Sequence, residues 1–436
     1  MTTQQHTCQI LQHAFNLTDT SHIIVVGEGI TGKSIARFLG DLGYCFILVD
    51  SRVTPFTQET FNDATHLFVS PGVSLNEPFI ARALNSGAKS ISDIDLFASL
   101  AKAPIVGISG ANGKSTVTTM LGEMAQASGK NVGVGGNLGT PVLDLLSDDV
   151  DLYVLELSSF QLERTHVLNA VAATVLNISA DHLDRHGDLV EYTKAKARVF
   201  VGDGVMVLNH DDDMVYGMRE AQRKTLTFSI KQQADFYLDH GYLIHGTTEL
   251  MPLAQLPLEG KHNAANALAA FALAYAVNLD IQACVMALTH FKGLEHRMQR
   301  VSQKLGFSWV NDSKATNIGA CIAALEGYDE KVILIAGGDG KGADMNELAP
   351  VIAEKAKAVI LTGKDAKLIE AALNSLSIIV PAYHAQDMRE VVAIASHIAV
   401  KGDTILLSPA CASLDQYQNY QDRGNQFAQA IEALPA

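Results

Sequence analysis

The sequence predicts an α/β protein of three consecutive domains, each with a mainly parallel sheet flanked by helices. Short apolar runs alternate with amphipathic segments along the chain, and many of these runs end in turns rich in glycine, serine and asparagine. Such alternation favours strand–helix–strand units with parallel strands. The chain has 436 residues, whereas one domain usually holds about 100–200. We therefore expect several domains in series.

The predicted domains cover 1–102, 103–298 and 299–436. We expect the first and third to be Rossmann-like and the second to be a P-loop domain. Strands are predicted at 22–26, 45–49, 66–69, 105–108, 152–155, 172–176, 205–208, 332–336, 358–361 and 404–407. Helices are predicted at 31–42 and 263–277, with a small antiparallel addition around 225–245 and a short helix or loose lead-in over 1–20.

Charge and cysteine usage limit the classes of function. The formal net charge of −15 repels a phosphate backbone, so we expect no nucleic-acid partner. The five cysteines are scattered and form no C-x-x-C pair, which predicts free thiols in a reducing compartment rather than zinc or disulfides. The first lysine or arginine is Lys33, and the longest apolar run, 267–277, is too short to span a bilayer. We expect a soluble, cytoplasmic monomer without a membrane span.

The stretch GISGANGKST, residues 107–116, predicts a phosphate-binding loop. Its glycines let the backbone turn tightly and aim N–H groups at one point, between a buried strand and a helix N-terminus. Lys114 can neutralise phosphate oxygens, and Ser115 can offer a hydroxyl to Mg²⁺. The strict G-x-x-x-x-G-K-[ST] pattern is not met, because position 108 is isoleucine. The alternative is a plain strand–turn–helix junction.

The stretch VGEGITG, residues 26–32, has the G-x-G-x-x-G spacing of a dinucleotide-binding turn, and Asp50 closes the next strand. Taken alone this pattern suggests NAD. A glycine turn that binds no nucleotide is the alternative. The segment Ser70-Pro71-Gly72 ends a neighbouring strand, so we expect it to line the same crevice.

Charged residues near other strand ends suggest metal and substrate sites. Glu156 ends a buried strand beside the phosphate loop, where a carboxylate is well placed for Mg²⁺; a surface acid is the alternative. The cluster NISADHLDRHG, residues 177–187, follows another strand and concentrates histidines and carboxylates. Lys194, Lys196 and Arg198 are spread around a helix, and composition alone predicts a solvated basic face there.

Four later loops are rich in glycine, serine, asparagine, aspartate and lysine, which points to a shared crevice. They are GKHNAAN (260–266), WVNDSKATN (309–317), AGGDGKGAD (336–344) and SPACASLDQYQNYQDRGNQF (408–427). Ordinary loop chemistry is the alternative, with Ser413, for instance, as a helix N-cap.

At these motifs the sequence resembles the Mur ligases, the ATP-dependent amide-forming enzymes of peptidoglycan synthesis. The resemblance covers nearly the whole chain after residue 20, and its motifs appear in family order: GANGKST, LELSSFQLE, the Asp-His pair at 181–182, GKHNAAN, HR at 296–297, NDSKATN and GGDGK. The sequence resembles most the branch that adds D-glutamate, at the motifs LELSSFQLE and SPACASLDQ and at the RGNQF that follows. The DNPR-type signature of the diaminopimelate- or lysine-adding branch is absent.

The resemblance implies a reaction in three steps. ATP phosphorylates the carboxylate of UDP-N-acetylmuramoyl-L-alanine, the amine of D-glutamate attacks the acyl phosphate, and a tetrahedral intermediate collapses to amide and phosphate. The implied cofactors are ATP, two Mg²⁺ ions and a CO₂-derived carbamate on Lys196. A carbamate is anionic, so it would reverse the charge of this lysine and provide oxygen ligands for metal.

The resemblance also assigns residues to each ligand. ATP is assigned to Gly110, Ala111, Asn112, Gly113, Lys114, Ser115, Thr116, Asn263, Asn266, Arg297 and Asp312. The UDP-linked substrate is assigned to Ile30, Thr31, Asp50, Ser51, Arg52, Ser70, Gly72, Asn137, Gln161 and His182. D-Glutamate is assigned to Lys314, Thr316, Lys341, Ser413, Leu414 and Tyr420. The implied metal ligands are Ser115, Glu156, His182 and the carbamate of Lys196, and the implied catalytic residues are Lys114, Glu156, His182 and Lys196.

Three other functions stay open at this point. An NAD-dependent oxidoreductase would use the glycine turn at 26–32, here called the first glycine loop, but leaves GKST, NDSKATN and the third domain unexplained. A nucleotide-binding regulator would bind ATP without turning it over. Another amide ligase of this superfamily, such as a folate polyglutamate synthase, would accept a different amino acid. Two positions depart modestly from the family pattern: Ser51, where Thr is frequent, and Tyr420, where Phe is common.

Overall fold

The N-terminal part of the protein forms a four-stranded parallel sheet. The computed structural model describes residues 3–258, 260–376 and 379–435. The strands of this sheet are β1 (Ile23–Val26), β2 (Phe46–Val49), β3 (His66–Val69) and β4 (Lys89–Ser90), in the order β2-β1-β3-β4. Its helices are α1 (Thr3–Phe15), α2 (Ile30–Asp41), α3 (Gln58–Phe61), α4 (Pro78–Asn85) and α5 (Asp93–Leu100). Strands β1 and β3 are buried along their whole length, as central strands of a covered parallel sheet must be.

The middle part forms a nine-stranded sheet. Its strands are β5 (Ile105–Ser109), β6 (Val132–Gly136), β7 (Leu152–Glu156), β8 (Ala172–Val175), β9 (Val205–Asn209), β10 (Thr225–Ser229), β11 (Phe236–Asp239), β12 (Tyr242–His245) and β13 (Thr248–Pro252). Their order is β13-β12-β11-β10-β9-β8-β5-β7-β6. The helices are α6 (Lys114–Ala127), α7 (Ser159–Leu162), α8 (Leu183–His186), α9 (Leu189–Ala197), α10 (Asp213–Tyr216), α11 (Lys261–Ala276) and α12 (Ile281–Thr289), with 3₁₀ turns at Val142–Leu145, Arg198–Phe200 and Leu253–Gln255.

The addition predicted around 225–245 differs from expectation in its first strands. Strand β10 pairs parallel with β9 and β11 pairs parallel with β10, whereas β11, β12 and β13 form the antiparallel part. The chain passes through α10 between β9 and β10, and this crossover lets the next strand run in the same direction.

The C-terminal part forms a six-stranded sheet in the order β14-β15-β19-β16-β17-β18. The strands are β14 (Gln299–Ser302), β15 (Ser308–Asn311), β16 (Val332–Gly337), β17 (Ala356–Thr362), β18 (Ala382–His384) and β19 (Thr404–Leu407). The helices are α13 (Ile318–Glu326), α14 (Ala349–Lys355), α15 (Ala366–Asn374), α16 (Met388–Ile398) and α17 (Tyr420–Glu432), with a 3₁₀ turn at Lys304–Gly306. Strand β14 pairs antiparallel with β15, and the other pairings are parallel.

This architecture confirms the predicted fold class. The ten predicted strands are all present, with ends shifted by at most a few residues, and the segment 1–20 contains helix α1. The three sheets fall inside the ranges 1–102, 103–298 and 299–436, and the boundaries themselves stay predictions.

The N-terminal and middle sheets share one apolar core. A single cluster of buried side chains includes residues from both, and the rings of Phe97 and Tyr153 meet edge-to-face at 4.8 Å. The C-terminal sheet has its own clusters on its two faces. The first two domains are therefore packed together by apolar contact, which a loop-only connection would not provide.

Candidate active site

The glycine loop at 107–116 leaves β5 and enters α6 in backbone conformations that favour glycine. Gly110 has φ +145° and Gly113 has φ +84°, and a Cβ atom at Gly113 would collide with Asn266 Oδ1. Lys114 Nζ donates to the carbonyls of Gly110 at 2.8 Å and Ala111 at 2.9 Å. The ammonium is thus folded over a loop at a helix N-terminus, the arrangement that binds phosphate oxygens.

Glu156 is a buried, ionised carboxylate at the end of β7. Its Oε1 accepts from Asn137 Nδ2 at 2.6 Å. Burial acts to raise the pKa of Glu156, but the charge of Lys114 and hydrogen bonds to neighbouring side chains outweigh it and leave the pKa below its ordinary value.

The free oxygen of Glu156 fits a magnesium site. Its Oε2 is buried and has no hydrogen-bond partner among the residues that the structure describes. Mg²⁺ in proteins commonly takes one or two carboxylates and completes its shell with water and phosphate oxygens, so a carboxylate near the Ser115 hydroxyl suits it. Across the described part of the chain, no group of three or more His, Cys, Asp or Glu side chains is spaced to hold a metal.

Lys196 is buried against the phosphate loop. It is 2 % exposed, its Nζ donates to Gly110 O at 2.8 Å, and this nitrogen lies 4.5 Å from the centre of the Tyr192 ring. Burial, and next the charge of Lys114, hold the pKa of Lys196 well below its ordinary value.

The solvated basic face predicted from composition for Lys194, Lys196 and Arg198 is therefore wrong at Lys196. Lys194 is exposed and pairs with Glu191 at 2.7 Å, as expected of a surface lysine. Arg198 is partly buried and donates to Thr165 O. Residues two apart lie on different sides of a helix, so one lysine faces solvent and the other faces the loop.

Asp181 joins the middle and C-terminal domains. Its Oδ1 accepts from Lys341 Nζ at 3.0 Å, and its Oδ2 accepts from Asn317 Nδ2 at 3.1 Å. His182 Nε2 lies 3.6 Å from Oδ2. Burial acts to raise the pKa of Asp181, but Lys341 and His182 outweigh it and lower the pKa. Lys341, a predicted D-glutamate ligand, thus reaches the loops of the middle domain.

Two further cations, Arg297 and Lys314, line the smaller cavity together with the phosphate loop. Arg297 Nη2 donates to Ser115 Oγ at 2.6 Å. Lys314 Nζ lies 3.9 Å from the centre of the Tyr420 ring. Burial lowers the pKa of Lys314 to about 8, so this lysine is still mostly protonated at neutral pH.

A cavity of about 1020 Å³ lies between the middle and C-terminal domains. Predicted site residues line it: Asn112, Gly113, Thr116, Asn263, Asn266, Arg297, Asp312 and Lys314. All of these except Lys314 were assigned to ATP, and the volume suits a nucleotide. Asp312 is buried there, and burial raises its pKa to about 7.

A smaller cavity of about 180 Å³ adjoins the first and shares Asn112, Gly113, Arg297 and Lys314 with it. It brings together the residues implied as catalytic and several of their neighbours: Lys114, Glu156, His182, Lys196, Asn137, Asp181 and Thr316. Their roles stay predictions, but the structure gathers them at one place.

The first glycine loop lies apart from both cavities, at the carboxyl ends of β1, β2 and β3. Asp50 accepts from Glu28 N at 2.8 Å and from Arg52 Nε at 2.9 Å, and the hydrogen bond from Arg52 is the main reason that the pKa of Asp50 lies far below its ordinary value. The residues of this domain assigned to the UDP-linked substrate line neither cavity: Ile30, Thr31, Asp50, Ser51, Arg52, Ser70 and Gly72.

Ser413, Leu414 and Gln161 also lie outside the lining of the two cavities. Ser413 is buried and Leu414 is 73 % exposed. The alternative in which Ser413 caps a helix is wrong, because residues 413–417 form a turn and Asn419 caps α17 instead. Gln161 Oε1 accepts from Ser158 N at 3.0 Å and closes a capping box at α7.

Two asparagines that the sequence analysis did not predict as site residues also contact the phosphate loop, and both lie inside predicted motifs. Asn177 Oδ1 accepts from Asn112 N at 2.8 Å and so supports the phosphate loop. Asn317 Nδ2 bonds both Asp181 Oδ2 and, at 3.3 Å, Asn112 Oδ1. The sequence features that could have indicated them are their positions, with Asn177 just after β8 and Asn317 just before α13.

The fold and the site define a three-domain P-loop α/β protein with a nucleotide-sized crevice between its second and third domains. The model of the Mur ligase middle domain matches residues 108–274, and that of the Mur ligase, glutamate ligase domain matches residues 296–411. A protein of Methylococcus capsulatus named UDP-N-acetylmuramoylalanine--D-glutamate ligase is 48% identical over 95% of both chains. One of the same name from Pseudomonas savastanoi is 46% identical over 94% of this chain and 98% of its own.

The chain therefore belongs to the Mur ligase family. It is an ATP-dependent amide ligase of peptidoglycan precursor synthesis, and ATP and Mg²⁺ are the expected cosubstrate and metal. No helix in the described ranges is long and apolar enough to cross a membrane.

Solved structures share this fold. The UDP-N-acetylmuramate-alanine ligase of Thermotoga maritima has a TM-score of 0.61 at 19% identity, over 94% of this chain and 99% of its own. A folylpolyglutamate synthase of Mycobacterium tuberculosis complexed with ADP has a TM-score of 0.59 at 17% identity, over 79% and 94%. At such identities the likeness establishes the architecture alone.

Proposed function

We propose that this chain joins D-glutamate to UDP-N-acetylmuramoyl-L-alanine while ATP is cleaved to ADP and phosphate. The observation that carries the proposal is the 48% identity, over 95% of both chains, to a relative that bears the name of this ligase. The site supports it, because the phosphate loop, the buried carboxylate of Glu156 and the cations Arg297 and Lys314 line the smaller cavity.

The first step is activation of a carboxylate, which is a poor electrophile. One oxygen of the alanyl carboxylate attacks the γ-phosphorus of ATP, the bond to ADP breaks, and an acyl phosphate forms. Lys114 and the N–H groups of its loop hold the phosphates, and Arg297 adds a second cation. Mg²⁺ bound by Ser115 and Glu156 would neutralise further phosphate charge. Catalysis here is mainly positioning and charge stabilisation.

The second step is attack by the amine of D-glutamate on the carbonyl carbon of the acyl phosphate. The C–N bond forms, the amine loses a proton, and the C–O bond to phosphate breaks. Lys341 and Lys314 are the cations that we assign to the carboxylates of D-glutamate. Two observations support this role: Lys314 lines the smaller cavity beside the Tyr420 ring, and Lys341 bonds Asp181, which lines the same cavity.

A carbamate on Lys196 is part of the proposal. The neutral amine attacks CO₂, an N–C bond forms and a proton leaves, which gives an anion. The low pKa of Lys196 favours the neutral, nucleophilic amine. The carbamate oxygens, with His182, would supply ligands for a second Mg²⁺ in the smaller cavity, which both residues line.

The first glycine loop is assigned to the UDP of the sugar substrate rather than to NAD. In NAD-binding folds a carboxylate at the position of Asp50 binds the ribose. Here Arg52 and the N–H of Glu28 already engage both oxygens of Asp50. The other residues that we assign to this substrate are those that the family resemblance implies.

We also infer that the protein is a cytoplasmic monomer with domains at 1–102, 103–298 and 299–436.

The test is amide formation by the purified full chain. The assay contains ATP, Mg²⁺, UDP-N-acetylmuramoyl-L-alanine and one amino acid at a time. Of the amino acids tested, we expect only D-glutamate to give phosphate release and a product heavier by one glutamyl residue. A product with folate and L-glutamate would instead support the folylpolyglutamate alternative.

A further inference from the structure

A buried arginine of the middle domain holds the turn that follows β3 in the N-terminal domain. Arg164 lies shortly after α7 and is 1 % exposed. Its Nη1 donates to the carbonyls of Val69 at 2.8 Å and Ser70 at 3.1 Å, and its Nη2 donates to that of Val73 at 3.0 Å. One planar guanidinium thereby fixes three carbonyls of one short turn.

The guanidinium is compensated by an acid that it shares with a second arginine. Glu163 Oε1 accepts from Arg164 Nη2 and from Arg185 Nη2, each at 2.7 Å. Arg185 Nη2 also donates to Val73 O at 3.0 Å. The terminal N–H groups of Arg164 thus donate to the turn and to Glu163. These hydrogen bonds fix the orientation of the buried guanidinium group.

The turn held by Arg164 forms one wall of the first glycine loop. Ser70 Oγ donates to Gly27 O at 3.2 Å, and a Cβ atom at Gly27 would lie only 2.8 Å from Ser70 Oγ. The backbone of Gly27 thus lies directly against the Ser70 side chain, so a shift of Ser70 is expected to remove the hydrogen bond that holds the Gly27 carbonyl. A continuous set of contacts therefore leads from Arg164 through Ser70 to the first glycine loop.

Other contacts hold the two domains together independently of Arg164. Asp95 Oδ1 accepts from His166 N at 2.6 Å, and Asp144 pairs with Arg37 at 2.7 Å. The shared apolar core adds to these contacts. Loss of the Arg164 side chain is therefore expected to free the turn rather than to separate the domains.

We propose that Arg164 is a positioning residue for the sugar-nucleotide site: it fixes the 69–73 turn so that Ser70 and the first glycine loop are preorganised for a nucleoside diphosphate. This inference rests on the proposed function, which assigns that loop to the UDP-linked substrate. Arg164 acts through the turn and not on the reacting atoms, so its removal affects one substrate and spares ATP.

The test compares Arg164→Met, Arg164→Lys and the control Arg37→Met, which breaks an interdomain ion pair away from the turn. We expect the Kd of UDP-N-acetylmuramoyl-L-alanine, measured by calorimetry, to rise about tenfold or more in Arg164→Met. Arg164→Lys, which keeps the charge but not the fork, should lie between it and wild type. The Kd of ADP should stay within about twofold in all three, as expected when no contact to that ligand is lost.

A second readout needs no substrate. Hydrogen exchange of the Val73 amide, which bonds Ser70 O, should be faster in both Arg164 variants, while the amides of His166 and Val167, which bond Asp95, stay protected. Unchanged exchange at the turn overturns the inference about Arg164, whether or not the wild type binds the UDP-linked substrate. Failure of the wild type to bind this substrate would contradict the proposed function instead. Unchanged substrate affinity in folded Arg164→Met, or an equal loss for ADP, also overturns the inference about Arg164. If Arg164→Met does not fold, Arg164→Lys decides by the same comparisons.

Discussion

Lys341 and Asp181 form an ion pair across two domains, with Nζ 3.0 Å from Oδ1. Lys341 lies in the left-handed region at φ +52°, inside the glycine turn after β16, and this turn directs its side chain toward the middle domain. Asp181 lines the smaller cavity. The pair therefore holds a cation of the third domain beside the smaller cavity, and we propose that the carboxylate of D-glutamate replaces Asp181 as its partner there.

The first prediction concerns this lysine. Lys341→Ala should raise the KM of D-glutamate by about 10- to 100-fold, because a hydrogen-bonded charge pair is worth about 1.5–3 kcal/mol. The KM of ATP should change far less. Lys364→Ala is the matched control, since Lys364 is an exposed lysine of the same domain that pairs with Asp339 at 3.1 Å. Comparable increases in both KM values for Lys341→Ala would remove the role assigned to Lys341.

The second prediction separates two lysines of one helix. Lys196→Ala should lower kcat about 100-fold or more, as loss of a preorganised charge at a reacting group does, and excess bicarbonate should not restore it. ATP binding, which depends on Lys114, should persist. Lys194→Ala should behave as wild type and give a carbamate signal with ¹³C-bicarbonate by NMR, which Lys196→Ala should lack. Full activity of Lys196→Ala would rule out the carbamate.

The third prediction concerns pH. Lys314 is protonated below its pKa of about 8 and neutral above it, and a neutral amine attracts a carboxylate only weakly. The kcat/KM for D-glutamate, which reports the free enzyme, should therefore fall as pH rises through about 8. Lys314→Arg keeps its charge at higher pH, so its profile should lose this decline. A decline at the same pH in Lys314→Arg would assign it to another group.

The fourth prediction tests the first glycine loop. Gly29 has φ −71°, and apart from its chain neighbours no residue that the structure describes has an atom within 4 Å of a Cβ built on it, so Gly29→Ala should fold normally. If a diphosphate approaches this backbone, the new methyl group should weaken the UDP-linked substrate about tenfold without affecting ATP. Gly27→Ala, at φ +96° and against Ser70, should destabilise the protein as well. Unchanged substrate affinity in Gly29→Ala would argue against the loop as its site, and NAD binding by the wild type would revive the oxidoreductase alternative.

Most of the fold could be predicted from sequence because its central strands are continuous apolar runs. Strands such as β16 and β19 are almost wholly buried, and buried parallel strands leave this signature. The direction of β10 could not be predicted, since alternating runs do not distinguish parallel from antiparallel pairing.

Some site residues could likewise be predicted from the sequence, and others could not. Lys114 and Glu156 could be found because they lie beside a glycine loop and at a strand end. The burial of Lys196 could not be derived from spacing, because it depends on Gly110 O, 86 positions away in the chain; only the family resemblance pointed to it. Arg164 gave no signal at all, since its carbonyl partners lie 91–95 positions earlier.

The most direct test of the central claim is phosphate release by the wild-type chain with ATP, Mg²⁺ and UDP-N-acetylmuramoyl-L-alanine, with D-glutamate or L-glutamate as the second substrate. We expect sustained release with D-glutamate, equal in amount to the amide product, and only background release with L-glutamate or without an amino acid. Equal release with both enantiomers, or none with D-glutamate, would contradict the central claim.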